Sequence, residues 1–193
     1  GIDITHLAVA LIEKRLREAF PGIQFSVEGT PRDYAAAEEL AIRDKHQFQL
    51  WAVSLVGAQP YKGGKKGADS GIDGLIFPQV GKSDTAKVVV SIKGGQNVSV
   101  QMIRDLKGVL DREKAAIGLF VTLVPPTNPM LAEAASAGHY TSPHHGDFPR
   151  LQILTIEDLL AGKKPLYPDL SYGDQTIKKA KLQVKEPGQE GLF

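Results

Sequence analysis

Apolar residues recur every three or four positions between residues 3 and 20, where Ile4, Leu7, Leu11, Ile12, Leu16 and Phe20 are set against Glu13, Lys14, Arg15, Arg17 and Glu18. That spacing predicts an amphipathic helix, which Pro21-Gly22 ends. Ile23 to Val27 alternates apolar and polar residues and predicts a short strand. Asp33 stands where it can cap a helix running from Tyr34 to Gly57 in one or two pieces. In the second piece Phe48, Trp51, Ala52 and Leu55 share a core-facing side, while Gln47 and Gln49 are polar. Ile72–Phe77 and the Val-rich Ala86–Ile92 flank a turn at Pro78–Asp84 and predict an antiparallel hairpin.

Ser99 to Ala115 has helical spacing, with Val100, Ile103, Leu106, Val109 and Leu110 inward. Ile117–Leu123 is an almost unbroken apolar run, as in a strand buried on both faces. After Pro125-Pro126 the pattern predicts a helix at Asn128–Ala137, with Met130 and Leu131 as core residues. His139–Pro149 reads as loop, Leu151–Leu154 as strand and Ile156–Leu160 as a short helix capped by Thr155. The whole predicts an α/β domain over residues 1–162, a mixed β-sheet flanked by helices on both faces. Residues 163–193 are rich in Lys, Pro, Gln and Gly and read as a loosely ordered tail.

The 193 residues carry 42% hydrophobic and 23% charged side chains, as expected of a soluble globular protein with a real core. Net charge is only +1, so any affinity for a polyanion has to come from a local patch. Lys62, Lys65, Lys66, Lys82, Lys87 and Lys93 supply one. There is no cysteine, which excludes disulfides and thiolate zinc sites and suits a cytoplasmic protein. No apolar run reaches the ~20 residues of a membrane span. The start at Gly1, with a helical pattern almost at once, suggests a piece of something longer.

The chemistry concentrates between Lys62 and Gln101. A Gly-Lys loop leads to Ala68-Asp69-Ser70-Gly71-Ile72-Asp73-Gly74, and the next strand closes on Ser91-Ile92-Lys93-Gly94-Gly95. Along a strand Ser91 and Lys93 share one face and Ile92 takes the other, and a hairpin can bring Asp73 alongside them. Mg²⁺ (or Mn²⁺) takes oxygen ligands, commonly one or two carboxylates completed by water and phosphate. Asp73 is the first candidate ligand, with the Ile92 carbonyl and Asp69 behind it. Lys93 can stabilise charge developing on the phosphate or its nucleophile. Together they read as a site for phosphodiester hydrolysis. Lys62, Lys65 and Lys66, the close-approach glycines Gly94 and Gly95, and Gln101 are the candidate contacts to a nucleic-acid backbone.

Three other signals read as ordinary structure. Val80-Gly81-Lys82-Ser83 is not a phosphate loop, since Ile76 stands where that motif needs glycine. His139, His144 and His145 lack a carboxylate or cysteine at zinc-ligand spacing and read as loop residues. Asn97-Val98-Ser99 is an acceptor for glycans only in a secreted protein.

The order Gly67-Ala68-Asp69-Ser70-Gly71-Ile72-Asp73-Gly74, then Val88-Val89-Val90-Ser91-Ile92-Lys93, then a helix and the strand Ile117-Gly118-Leu119-Phe120-Val121-Thr122-Leu123 resembles the restriction-endonuclease-like PD-(D/E)xK superfamily, in its Mrr-like branch. Phe48-Gln49-Leu50-Trp51-Ala52, Lys66-Gly67-Ala68-Asp69, Ile103-Arg104-Asp105-Leu106, Pro125-Pro126-Thr127 and Glu133–Gly138 are similar to the nuclease-like domain at the C-terminus of some bacterial DNA methyltransferases. The likeness spans residues 5–162.

It implies a restriction-endonuclease-like core, DNA as substrate, metal dependence, and a methyltransferase domain or subunit as partner, in restriction or repair. Asp73 then matches the metal-binding aspartate and Lys93 the motif lysine. Ser91 departs from the motif, which has Asp, Glu or Gln there, and Gln49 lies near where relatives carry a glutamate. A catalytically silent DNA-binding module is the alternative these two neutral residues raise. Cleavage of both strands calls for two copies, so a homodimer is an expected partner. At the end of the chain Gln189, Leu192 and Phe193 resemble the short peptide by which replication and repair proteins dock on the sliding clamp.

Overall fold

A computed structural model describes residues 6–64, 71–81 and 84–168. They fall into two units, the first reaching to Thr30 and the second starting at Pro31. In the first, helix α1 spans His6–Ala19. On it Arg17 donates to Glu13 Oε1 at 2.9 Å and lies 4.7 Å over the Phe25 ring. The strand expected at Ile23–Val27 does not form, because no strand pairs with it. Its Phe25 packs under the α1 guanidinium instead.

The second unit is built on a five-stranded mixed sheet, in the order β1-β2-β3-β4-β7. The strands are β1 (Gln59–Pro60), β2 (Gly74–Ile76), β3 (Val88–Lys93), β4 (Ile117–Thr122) and β7 (Leu151–Thr155). β2 runs antiparallel to β1 and β3, whereas β3, β4 and β7 are parallel. A separate antiparallel pair joins β5 (His139–Ser142) to β6 (Gly146–Pro149).

One face of the sheet carries α2 (Tyr34–Arg43) and α3 (Lys45–Leu55), and the other carries α4 (Val100–Glu113) and α5 (Asn128–Ser136). Strand alternation feeds both: Val88, Val90 and Ile92 join Phe48 and Trp51 in one core, and Val89 joins Ile103 and Leu110 in the other. β4 is buried along its whole length, as its apolar run predicts.

Asp44 explains why the long helical pattern breaks in two. Its side chain accepts the His46 and Gln47 amides while its own amide still donates to Leu40, so it ends α2 and caps α3. Asp33 caps α2 as expected, accepting the Ala36 amide at 2.9 Å. Thr155 and Asp158 form a reciprocal capping box on α6 (Ile156–Leu160).

Two further expectations need correcting. His139–Pro149 is a hairpin and not a loop, with Tyr140 opposite Phe148 and both packed on the α2/α3-side core. Pro143 lies in its turn, and Gly146, at a φ of 79°, opens the returning strand opposite Ser142. Leu131 is 47% exposed and so is no core residue, although Met130 beside it is fully buried. Residues 163–168 run beside β7, where Gln152 Nε2 donates to the Leu166 carbonyl at 2.6 Å and Gln152 Oε1 accepts the Leu166 amide at 2.8 Å.

Candidate active site

Asp73 stands just before β2, and each of its four polar groups is held. Its amide donates to the Val90 carbonyl at 2.9 Å, and its carbonyl accepts the Tyr61 amide at 2.9 Å. Carboxylate Oδ2 accepts the Ile92 amide at 2.6 Å, and Oδ1 accepts Gln49 Nε2 at 3.3 Å. The backbone ladder between β2 and β3 stops at Gly74 and Val90. Beyond it, the aspartate side chain takes the place a backbone acceptor would have.

Three elements therefore meet at Asp73. β1 and the turn after it deliver Tyr61, β3 delivers Ile92, and α3 delivers Gln49. Asp73 itself is half-buried.

The end of β3 carries the other expected residues. The Lys93 carbonyl accepts the Leu123 amide at 2.9 Å and so faces β4. Backbone groups alternate along a strand, so the Ile92 carbonyl faces the opposite edge, the one where Asp73 holds the Ile92 amide. Ser91 and Lys93 lie on the α4 side of the sheet and Ile92 on the α3 side. Lys93 is half-buried, whereas Ser91 is only 4% exposed. Beside Lys93 on β4, the fully buried Thr122 donates its hydroxyl to the Val124 carbonyl at 3.1 Å.

The expected backbone contacts are spread more widely. Lys62 is exposed, in a left-handed conformation (φ 48°), with its ammonium 5.3 Å from the Tyr61 ring centroid. The loop expected at Lys62–Gly67 begins as a tight turn at Tyr61–Gly64, with Gly63 left-handed like Lys62 (φ 68°), after the β1 strand that the sequence pattern hides. Gly95 is exposed with open space where a β-carbon would point, while Gly94 packs on Phe48. Gln101 is exposed on α4 and donates to Asp105 Oδ1 at 2.8 Å. Lys65, Lys66, Asp69 and Lys82, and the terminal Gln189, Leu192 and Phe193, lie outside the described residues.

Elsewhere in the second unit, ion pairs tie elements together. Lys87, at the start of the β3 stretch, donates to Glu113 Oε2 at 2.9 Å at the end of α4. That hydrogen bond, followed by the lysine's charge, lowers the Glu113 carboxyl below its ordinary range. Arg104 and Glu133 join α4 to α5 at 2.9 Å. Among the described residues no three His, Asp or Glu side chains gather as a metal-ligand set, and no helix is long and apolar enough to cross a membrane.

Sequence reasoning missed the residues that hold the site in place. Nothing in the pattern couples Tyr61 to Asp73, Gln96 to Glu38 or Gly94 to Phe48, because each is a tertiary contact made across elements. Only the glycine was a signal, marking a place where something approaches the backbone.

An antiparallel hairpin that feeds a parallel three-strand sheet, with helices on both faces, is the core architecture of a restriction-endonuclease-like nuclease. The family model described as restriction endonuclease, Mrr_cat, matches residues 41–142, just over half of the 193-residue chain. The chain belongs to that family. No curated protein and no solved structure matches it.

Proposed function

We propose that the chain is a metal-dependent DNA endonuclease domain, hydrolysing phosphodiester bonds at the end of β3 in association with a DNA methyltransferase or a restriction-modification system. The observation that carries this reading is Asp73, whose carboxylate is fixed by the Ile92 amide at 2.6 Å on the side of β3 that the Ile92 carbonyl also faces. One carboxylate and one carbonyl make an all-oxygen donor pair. That fits Mg²⁺ or Mn²⁺, which complete their shells with water and phosphate oxygens. Asp69 is the further candidate ligand. When bound, such an ion polarises the scissile phosphate and acidifies a coordinated water.

The remaining work falls to the chain's own groups. Lys93, one residue past Ile92, supplies a cation for charge developing on the phosphate oxygens. Gln49 orients the Asp73 carboxylate through Oδ1. Lys62, Lys65, Lys66, Gly95 and Gln101 contact the DNA backbone, where they fix position without reading sequence. A homodimer would present two such sites, and the Gln189, Leu192 and Phe193 peptide would dock on a sliding clamp.

The test is Mn²⁺ titration and plasmid cleavage with wild type, Asp73→Ala and Lys93→Ala. Binding is expected in wild type and Lys93→Ala but not in Asp73→Ala, and cleavage in wild type alone. A wild type that neither binds Mn²⁺ nor cuts DNA would overturn the reading. One observation favours the second, a silent DNA-binding module: Ser91 is 4% exposed and uncharged where the superfamily motif has an acidic residue or glutamine. It predicts salt-sensitive DNA binding with no cleavage under any metal.

A further inference from the structure

A β-carbon built on Gly94 would stand 2.7 Å from both Cδ1 and Cε1 of Phe48, and 3.4 Å from the Ala41 β-carbon. Phe48 is 1% exposed, so its ring is walled in and does not swing aside. Gly94 follows Lys93 at the exit of β3, and Phe48 precedes Gln49 on α3. Two residues past Gly94, Gln96 Nε2 donates to Glu38 Oε1 on α2 at 2.9 Å. The α2–α3 pair therefore grips the segment after β3 at two points, and one of them adjoins the glutamine that holds Asp73.

We propose that Phe48 is a positioning residue for the site, and that the bare Cα of Gly94 is the seat that sets how far α3 stands from the end of β3. The inference rests on the reading of Asp73 and Lys93 given above. Distances decide how much tolerance the arrangement has. A real β-carbon does not come within 3.0 Å of a heavy atom, so a methyl on Gly94 drives the ring away by at least the difference from 2.7 Å. The Gln49–Asp73 hydrogen bond is already long at 3.3 Å. A comparable shift of α3 carries it past the range in which such a contact counts as a hydrogen bond. The Ile92–Asp73 bond at 2.6 Å lies between strand segments and is not lengthened by the same movement. The seat therefore controls the Gln49 bond to the carboxylate and spares the Ile92 bond.

The experiment is NMR of the full chain, following the Gln49 side-chain amide and the Ile92 backbone amide in Gly94→Ala, Phe48→Leu and the double variant. In Gly94→Ala the Gln49 side-chain resonances are expected to move to solvent-exposed positions while the Ile92 amide stays in place. DNA cleavage should fall about tenfold, the worth of one hydrogen bond. The double variant, with a smaller side chain against the new methyl, should restore the Gln49 resonances. An unmoved Gln49 resonance in folded Gly94→Ala, or no restoration in the double variant, overturns the proposal. If Gly94→Ala does not fold, Phe48→Leu alone decides: displaced Gln49 resonances support the seat and unmoved ones overturn it. Absence of cleavage in wild type would sink the nuclease reading, while the resonances would still decide the positioning role.

Discussion

The Ile92 amide donates to Asp73 Oδ2 at 2.6 Å, so a side chain ends the β2–β3 ladder where a backbone carbonyl would otherwise stand. One carboxylate thus has a structural and a proposed chemical duty. The two can be separated. Asp73→Asn keeps an acceptor for the Ile92 amide, and Asp73→Ala leaves the amide without one. We expect a loss of about 1 kcal/mol for the first and up to about 3 kcal/mol for the second. Metal binding should disappear in both. Urea denaturation alongside Mn²⁺ titration checks this, and equal stabilities would show that the carboxylate does not hold the strand end.

Ser91 invites the opposite substitution. Putting Asp at a position only 4% exposed should destabilise the metal-free protein, by about 1–3 kcal/mol for a buried polar group without a partner. If the Asp73 edge binds metal, added Mn²⁺ should recover part of that loss in Ser91→Asp and raise its melting temperature more than the wild type's. Thermal melts with and without Mn²⁺ measure it. Identical metal effects in the two proteins would place Ser91 out of reach of any ion.

Lys65 and Lys66 are proposed to meet phosphate. Removing both, as Lys65→Ala with Lys66→Ala, should weaken DNA binding evenly across sequences. It should also flatten the slope of log K against log salt by about 1.8, about 0.9 per lost contact. Fluorescence anisotropy at several salt concentrations gives the slope. An unchanged slope would remove the two lysines from the interface.

Acid should loosen α6. The Asp158 carboxyl is held below its ordinary value by the Thr155 amide above all, at 3.1 Å, with Lys163 adding a contact at 3.3 Å. A lowered folded-state value means the stabilisation is fully present above the ordinary value of 3.8 and is lost as pH falls through the folded one. Asp158→Asn should therefore cost up to about 1 kcal/mol at pH 7 and progressively less as the pH is taken below 3.8. Urea melts across that range test this, and a cost independent of pH would contradict it.

How far the sequence was legible depended on the range of the contact involved. The apolar run at Ile117–Thr122 and the Val-rich β3 revealed a doubly covered sheet because burial on both faces writes itself into consecutive residues. Caps at Asp33 and Thr155 were readable because they act within three residues. Tyr140 and Phe148 were in plain view, yet a turn-rich setting hid the strands that pair them. The order of residues along the chain was enough to single out Asp73 and Lys93 as candidates. The contacts that hold Asp73 could not be read there: Gln49 was singled out by resemblance, but its bond to Asp73, 24 residues away, and that of Tyr61 exist only because α3 and β1 pack where they do.

The sheet's two margins bear on how a second copy would join the first. β1 ends in Pro60, which has no amide to offer a neighbour, and β7 is flanked by the Gln152 side chain, whose amide is committed to Leu166. Growing the sheet from one molecule into the next would mean pairing with a proline or evicting Leu166. Two molecules cutting opposite strands would therefore not be expected to join by extending this sheet from one into the other.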